Sequence, residues 1–194
     1  MFKKAFLYLS FFFVIFCTHT KPMVINYDNI KPGSTVKVRG KMLKLHKGSL
    51  ATGDNFLTFL KGTDISIPFQ NKVTVINIVP SIDTKVCEEQ THILGETTSL
   101  NPNIDRMLIS RDLPMAQQRF AEAAKLGNLS YVSDYKTATF GKKSGLLIQE
   151  STLLARGVVV LDAKGTVRYM QFVSELSQLP DMKSAFDFAN SLSK

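Results

Sequence analysis

Residues 73–92 read VTVINIVPSIDTKVCEEQTH. The first seven are mostly apolar and β-branched, a composition that predicts a strand buried on both faces. Pro80 ends this strand, and a polar, helix-competent segment begins near Thr84. Cys87 therefore falls in the first turn of a predicted helix, directly after a buried strand.

The start of a helix favours an anion, because its unpaired backbone N–H groups carry about half a positive charge. A free thiol has a pKa of about 8.5, so only a few per cent is ionised at neutral pH. Making such a thiol mostly anionic takes roughly 3 kcal/mol, of which a helix terminus supplies about 0.3–1 and at most about 2. We therefore expect an arginine or lysine from a distant part of the chain.

The first 20 residues have the pattern of a targeting segment. Lys3 and Lys4 precede about a dozen apolar residues, which is typical of an export signal and short for a membrane span of about 20. We predict that residues 1–20 are an export signal or membrane leader and that residues 21–194 form a single domain. The protein is then exported, to the periplasm or outside the cell. Lipidation of Cys17 is an alternative, although the bulky Phe16 before it argues against it.

Cysteine content and charge narrow the function classes. Removal of the leader leaves Cys87 as the one cysteine, so no disulfide can form within the chain. The net charge is +8, but the lysines are spread along the sequence without interleaved aromatic residues. This pattern indicates a solvated surface rather than a nucleic-acid or membrane site. We predict no nucleic-acid partner, and membrane contact only if the leader is retained or Cys17 is lipidated.

The remaining segments alternate between short strands and helices. Predicted strands cover residues 35–38 and 42–46 as a hairpin, two short stretches near 53–54 and 62–64, then 73–79, 106–110, 129–132, and the hairpin 156–161 and 166–173. Predicted helices begin near Thr84, at Pro114 and at Pro180. In the Pro114 helix, the predicted inward residues are Met115, Phe120, Ala123 and Ala124. This order predicts an α/β, thioredoxin-like fold, a central mixed β-sheet flanked by helices, with an N-terminal β-hairpin.

Three separated segments carry a resemblance to a known family. The pattern Pro80-x-x-x-Thr84-x-x-Cys87 resembles the active-site pattern of the peroxiredoxins, and the string Pro-Ser-Ile-Asp-Thr-x-Val-Cys that of their thiol peroxidase subfamily. Residues 109–117, ISRDLPMAQ, resemble the subfamily's Ser-x-Asp-Leu-Pro-x-Ala-Gln segment. Residues 154–160, LARGVVV, resemble the stretch that carries its active-site arginine.

The resemblance implies a thiol-dependent peroxidase without a cofactor, often a homodimer. Cys87 would attack hydrogen peroxide or an organic hydroperoxide and become a sulfenic acid. Arg156 would supply the distant cation, and the Thr84 hydroxyl would contact the sulfur, although Thr84 also suits a helix cap. Pro80 would shield the thiolate, and a purely structural use of Pro80 fits equally well.

One departure from the family concerns the second half of the reaction. Many thiol peroxidases carry a resolving cysteine after an Arg-Phe pair, whereas here Arg119-Phe120 is followed by Ala121. The resemblance then implies an external thiol reductant, a thioredoxin-like protein or a small thiol. Two alternatives stay open: a peroxide-sensing or partner-binding thioredoxin-like protein without efficient turnover, and a structural domain with a vestigial cysteine.

Two further residue patterns are assigned lesser roles. Cys87 and His92 are five residues apart, which is poor spacing for two ligands on one helix face, so we predict no metal site. Asp112 matches the family segment, and we predict that its side chain caps the helix that opens at Pro114.

Overall fold

In the computed structural model, which describes residues 28–193, the chain forms a five-stranded sheet, a separate two-stranded hairpin and five helices. The elements are β1 (Thr35–Val38), β2 (Lys41–Lys44), α1 (Phe56–Phe59), β3 (Thr74–Ile78), α2 (Lys85–Glu96), β4 (Asp105–Ser110), α3 (Pro114–Ala123), β5 (Ser130–Ser133), α4 (Thr139–Ser144), β6 (Gly157–Leu161), β7 (Val167–Phe172) and α5 (Met182–Leu192).

The central sheet has the strand order β5-β4-β3-β6-β7, with β3 in the middle. Strand β3 runs parallel to β4 and antiparallel to β6, and all five of its residues are buried. Its last residue, Ile78, pairs with Ile109 on one side and Gly157 on the other. The end of β3, the end of β4 and the start of β6 therefore meet at one edge of the sheet. This is the mixed sheet of a thioredoxin-like fold, as the sequence predicted.

Apolar side chains fill a layer on each face of the sheet. One layer joins α2 and α5 to the sheet and includes Cys87, Leu94, Val158 and Phe186. The other is larger and lies under β1, α1 and α4. Strand β3 contributes to both layers, which explains why its sequence is apolar rather than alternating.

The N-terminal segment covers the edge strand β7 and the loop that follows it. The Ile30 amide donates to the Phe172 carbonyl at 2.9 Å. In β1, the Lys37 amide donates to Ser174 at 2.8 Å, and the Lys37 carbonyl accepts from the Leu176 amide at 3.0 Å. These bonds satisfy backbone groups that an open sheet edge leaves unpaired. They also fix the position of residues 174–176.

The structure corrects the predicted elements between residues 50 and 70. The two short strands near residues 53–54 and 62–64 were wrong: turns occupy these positions, and helix α1 lies between them. The Asn55 side chain accepts a hydrogen bond from the Thr58 amide at 2.9 Å, which starts this short helix. Helix α4 was not predicted at all.

Helix α3 also differs from its predicted orientation. Met115 is 63% exposed and Ala123 is exposed, so both predictions of inward residues were wrong. Phe120 and Ala124 do pack, partly buried, against the layer that holds Cys87. The fully buried residue of α3 is Gln117, which donates to the Ser110 hydroxyl at 2.9 Å.

Between residues 28 and 193, no helix has the length and apolar character needed to cross a membrane. The predicted leader, residues 1–20, and Cys17 lie outside the described residues.

Candidate active site

Cys87 is the third residue of α2, in its first turn. Its side chain has no exposed surface and lies within the apolar layer between the sheet, α2 and α5. Burial among hydrocarbon alone disfavours a charged sulfur. The sulfur therefore depends on the polar groups that reach it.

Thr84 provides the first polar contact to the sulfur. Its hydroxyl donates to Cys87 Sγ at 2.9 Å and lies 3.4 Å from the Ser81 carbonyl. Thr84 occupies the N-cap position of α2, yet its side chain makes no capping hydrogen bond. Of the two roles that the sequence allowed, the geometry favours the contact with sulfur.

Arg156 provides the second contact and the positive charge. It precedes β6, is 2% exposed, and donates from Nη2 to Cys87 Sγ at 3.3 Å. Its Nε donates to the Leu176 carbonyl at 3.0 Å, and its Nη1 donates to Gln90 Oε1 at 3.0 Å. A buried cation is costly unless its donors are satisfied, and here three acceptors satisfy them, two on α2 and one in the loop after β7.

Gln90 was not predicted as a site residue. It is fully buried in α2, and its side-chain amide contacts two consecutive residues at the start of β6: Oε1 accepts from Arg156, and Nε2 donates to the Gly157 carbonyl at 2.9 Å. The Gln90 carbonyl accepts from Asn77 Nδ2 at 2.9 Å. The spacing was available as a signal, because Gln90 follows Cys87 by three residues and therefore shares its helix face.

The loop between β3 and α2 is held by Asp112. The Ser81 hydroxyl donates to Asp112 Oδ1 at 2.6 Å, and the Ile82 amide donates to Oδ2 at 2.8 Å. The prediction that Asp112 caps α3 was wrong, since the N-cap of α3 is Leu113 and no side chain caps it. Asp112 instead fixes the loop that leads from Pro80 to Thr84.

Pro80 is buried at the point where β3 ends. It offers no amide hydrogen at this position, so it adds no donor to compete with Thr84 and Arg156. A cleft of about 520 Å³ opens beside the loop, lined by Ser81, Asp83, Asp112 and Phe120 among others. Cys87 has no exposed surface and does not line this cleft.

His92 lies on α2 with Nδ1 2.7 Å from Glu96 Oε1, one helical turn further along. Among residues 28–193, no group of histidine, cysteine, aspartate and glutamate side chains is placed to hold a metal ion. The polar groups that converge on Cys87 are donors, and their arrangement suits an anionic sulfur and the oxygen atoms of a peroxide.

Comparisons with known proteins identify the family. The family profile described as Redoxin matches residues 52–186. The thiol peroxidase of Streptococcus pneumoniae (strain ATCC BAA-255 / R6) is 38% identical over 165 residues, covering 82% of this chain and 97% of that protein. The thiol peroxidase of Bacillus subtilis (strain 168) is 38% identical over 125 residues, covering 64% of this chain and 75% of its own.

Solved structures show the same fold. A peroxiredoxin-like protein from Aquifex aeolicus is 29% identical with a TM-score of 0.71, covering 84% of this chain and 99% of that chain. A thiol peroxidase from Chromobacterium violaceum is 18% identical with a TM-score of 0.66, covering 81% of this chain and 96% of that one. At 18% identity, the similarity to the Chromobacterium violaceum structure supports the fold alone.

Proposed function

The chain belongs to the redoxin family and is a thiol peroxidase, and on that premise we propose that Cys87 is the sulfur that peroxide oxidises. The enzyme reduces hydrogen peroxide or organic hydroperoxides at the expense of a thiol. One observation supports Cys87 above all others: its sulfur accepts from Thr84 at 2.9 Å and from Arg156 at 3.3 Å.

In the first step, the Cys87 thiolate attacks the terminal oxygen of the peroxide. The S–O bond forms as the O–O bond breaks, so the sulfur becomes a sulfenic acid and the second oxygen leaves as water or an alcohol after taking a proton from solvent. Negative charge moves from sulfur to the leaving oxygen. Arg156 stabilises that charge with a buried guanidinium, Thr84 orients the reacting atoms, and Pro80 keeps water from the sulfur.

An external thiol completes the cycle. Cys87 is the only cysteine among residues 28–193, so its sulfenic acid has no resolving partner there. One thiol condenses with the sulfenic acid to give a mixed disulfide and water, and a second thiol releases the reduced enzyme. We propose a thioredoxin-like protein or a small thiol as this reductant.

The test is peroxide-dependent consumption of a supplied thiol, measured for the wild type, Cys87→Ser and Arg156→Ala. We expect no turnover for Cys87→Ser. Removal of one charge-stabilising donor typically costs about 10²–10³ in rate, which is the loss expected for Arg156→Ala. Intact mass after one equivalent of peroxide should show one added oxygen on the wild type. Full turnover by Cys87→Ser would refute the assignment.

We also propose that the protein is exported, to the periplasm or outside the cell, by residues 1–20. The support is the sequence pattern of two lysines before an apolar run. Fractionation of cells that express the full chain, with mass measurement of the recovered protein, tests the proposal. An intact N-terminus on protein found wholly in the cytoplasm would contradict it.

A homodimer is proposed from family resemblance and from exposed apolar side chains near the cleft. Leu113 is 48% exposed, Met115 63% and Tyr135 43%. These side chains lie at the start of α3 and in the turn after β5, and exposed apolar side chains of this kind are typical of an interface between subunits. Sedimentation velocity should give a dimer for the wild type and a monomer for Met115→Glu. A monomeric wild type at micromolar concentration would contradict the proposal.

A further inference from the structure

The N-terminal hairpin brings together positive charges that are spread along the sequence. Residues 29–53 contain no aspartate or glutamate. The same stretch contains six cationic residues, namely Lys31, Lys37, Arg39, Lys41, Lys44 and Lys47, and all six are exposed. Pairing of β1 with β2 folds the central four of these cations onto one small sheet that is separate from the main sheet.

The two faces of the hairpin differ in character. Val36 lies opposite Leu43, and Val36 is fully buried in the core. Lys37 lies opposite Met42 on the other face, because directly opposed residues of an antiparallel pair point to the same side. Met42 is 62% exposed, so this outer face presents an apolar side chain beside cations.

Few acidic groups offset this charge. Within the described part of the chain, none of the six cations forms an ion pair, and the salt bridges found there involve other residues. Three acidic residues lie beside the hairpin. Glu150 accepts from the Lys44 amide at 3.4 Å, the Glu175 backbone bridges to Lys37, and Asp28 accepts at 3.0 Å from the hydroxyl of Ser174, whose carbonyl accepts from the Lys37 amide. Three acids against the six cations of residues 29–53 leave this surface with a net positive charge.

We propose that this hairpin docks on the surface of an anionic phospholipid bilayer. Lysine and arginine are attracted to anionic headgroups, and an exposed apolar side chain among them gains by entering the interface. Nucleic acid is the less suitable polyanion, since residues 28–55 contain no phenylalanine, tyrosine or tryptophan on which a base could stack. The inference goes beyond peroxide reduction and does not depend on the leader.

The test compares two triple variants of the full chain in co-sedimentation with lipid vesicles. Arg39→Gln, Lys41→Gln and Lys44→Gln remove charge from the hairpin. Lys125→Gln, Lys136→Gln and Lys164→Gln remove the same charge from exposed positions elsewhere, and Arg39 and Lys125 share a positive φ, 48° and 57°.

Vesicles of phosphatidylglycerol and phosphatidylcholine should bind the wild type. Each cation near such a surface contributes roughly fivefold, so the hairpin variant should lose on the order of a hundredfold in partitioning, while the control variant loses only severalfold. Met42→Gln should reduce partitioning severalfold. High salt should abolish the difference between the two triple variants.

Three outcomes would overturn the proposal. Equal losses in both triple variants would assign binding to net charge, and equal binding to pure phosphatidylcholine vesicles would assign it to apolar contact through the leader. Binding of a DNA duplex with no binding to anionic vesicles would assign the surface to nucleic acid. Peroxidase activity of both triple variants should equal that of the wild type, because none of the side chains replaced in them contacts Cys87, Thr84 or Arg156.

Discussion

Replacement of Gln90 by alanine is expected to slow the oxidation of Cys87 without touching the sulfur. Gln90 Oε1 accepts from Arg156 Nη1 at 3.0 Å, and besides the sulfur itself the Leu176 carbonyl also accepts from the guanidinium. A hydrogen bond to a charged group contributes about 1.5–3 kcal/mol. If that contribution is lost from the transition state, the second-order rate constant falls about tenfold to 150-fold.

The second-order rate constant for peroxide is measured by stopped-flow competition, and the unfolding free energy of each variant is measured by chemical unfolding. Gln117→Ala is the matched control, since Gln117 is also a buried glutamine that donates to a serine hydroxyl and a backbone carbonyl. Both variants should lose about 1–3 kcal/mol of unfolding free energy, because each leaves buried polar groups without a partner. Only Gln90→Ala should lose rate.

A rate within twofold of the wild type for Gln90→Ala, at a loss of stability equal to that of Gln117→Ala, would refute the reasoning. It would mean that Leu176 and the sulfur alone fix the guanidinium. An equal loss of rate in both variants would instead show that rate follows general stability.

Three other substitutions test separate parts of the structure. Thr84→Val removes the hydroxyl 2.9 Å from Cys87 Sγ, so oxidation of Cys87 by peroxide should slow at least tenfold, while Thr84→Ser should keep the rate. The unfolding free energy of both variants should change little, because the Thr84 side chain makes no capping hydrogen bond to α2. Gly157→Ala places a Cβ 2.3 Å from Phe172 Cδ1 and should cost about 1–3 kcal/mol in chemical unfolding, with no loss contradicting the packing. Burial raises the pKa of Tyr131 to about 12, so the stability gained from its neutral phenol is complete below pH 10 and is lost as the pH rises through 12. Tyr131→Phe should flatten the plot of unfolding free energy against pH in this range. An unchanged plot would contradict the raised pKa of Tyr131.

The elements that could be predicted from the sequence are those whose hydrophobic pattern is determined by burial. Strand β3 is mostly apolar because it has a packed layer on each face, whereas α5 shows an apolar stripe because one of its faces packs on the sheet. Helix α4 has no such pattern: it has six residues, contains Gly141, and follows Ala138 in a left-handed conformation. Its position is set by the buried Asp134 carboxylate, which accepts from the Phe140 and Gly141 amides.

The orientation of α3 shows the limit of periodicity. Its side chains differ little in hydrophobicity around the helix, so Met115 was predicted to face inward, and the polar Gln117 took the buried position instead. A hydrogen bond to Ser110 and another to the Val132 carbonyl make that burial favourable. Hydrogen bonds of this kind join residues from separate segments, so they produce no periodic pattern in the sequence of either segment.

For the candidate site, the charge argument required a distant cation, and the resemblance identified Arg156; the structure places its guanidinium against the sulfur. What holds that guanidinium could not be read from the chain, because Leu176 contributes only a carbonyl, which every residue has. Gln90 was accessible in principle, since the spacing that drew attention to Thr84 before Cys87 applies equally after it.

The link from the hairpin to the guanidinium has a mechanical consequence. A pull on the chain ahead of Asp28 first loads the hydrogen bond from the Ile30 amide to Phe172 and then reaches β1. There the Lys37 carbonyl accepts from the Leu176 amide, and the Leu176 carbonyl accepts from Arg156 Nε. Tension at that end therefore reaches the reactive centre through two hydrogen bonds.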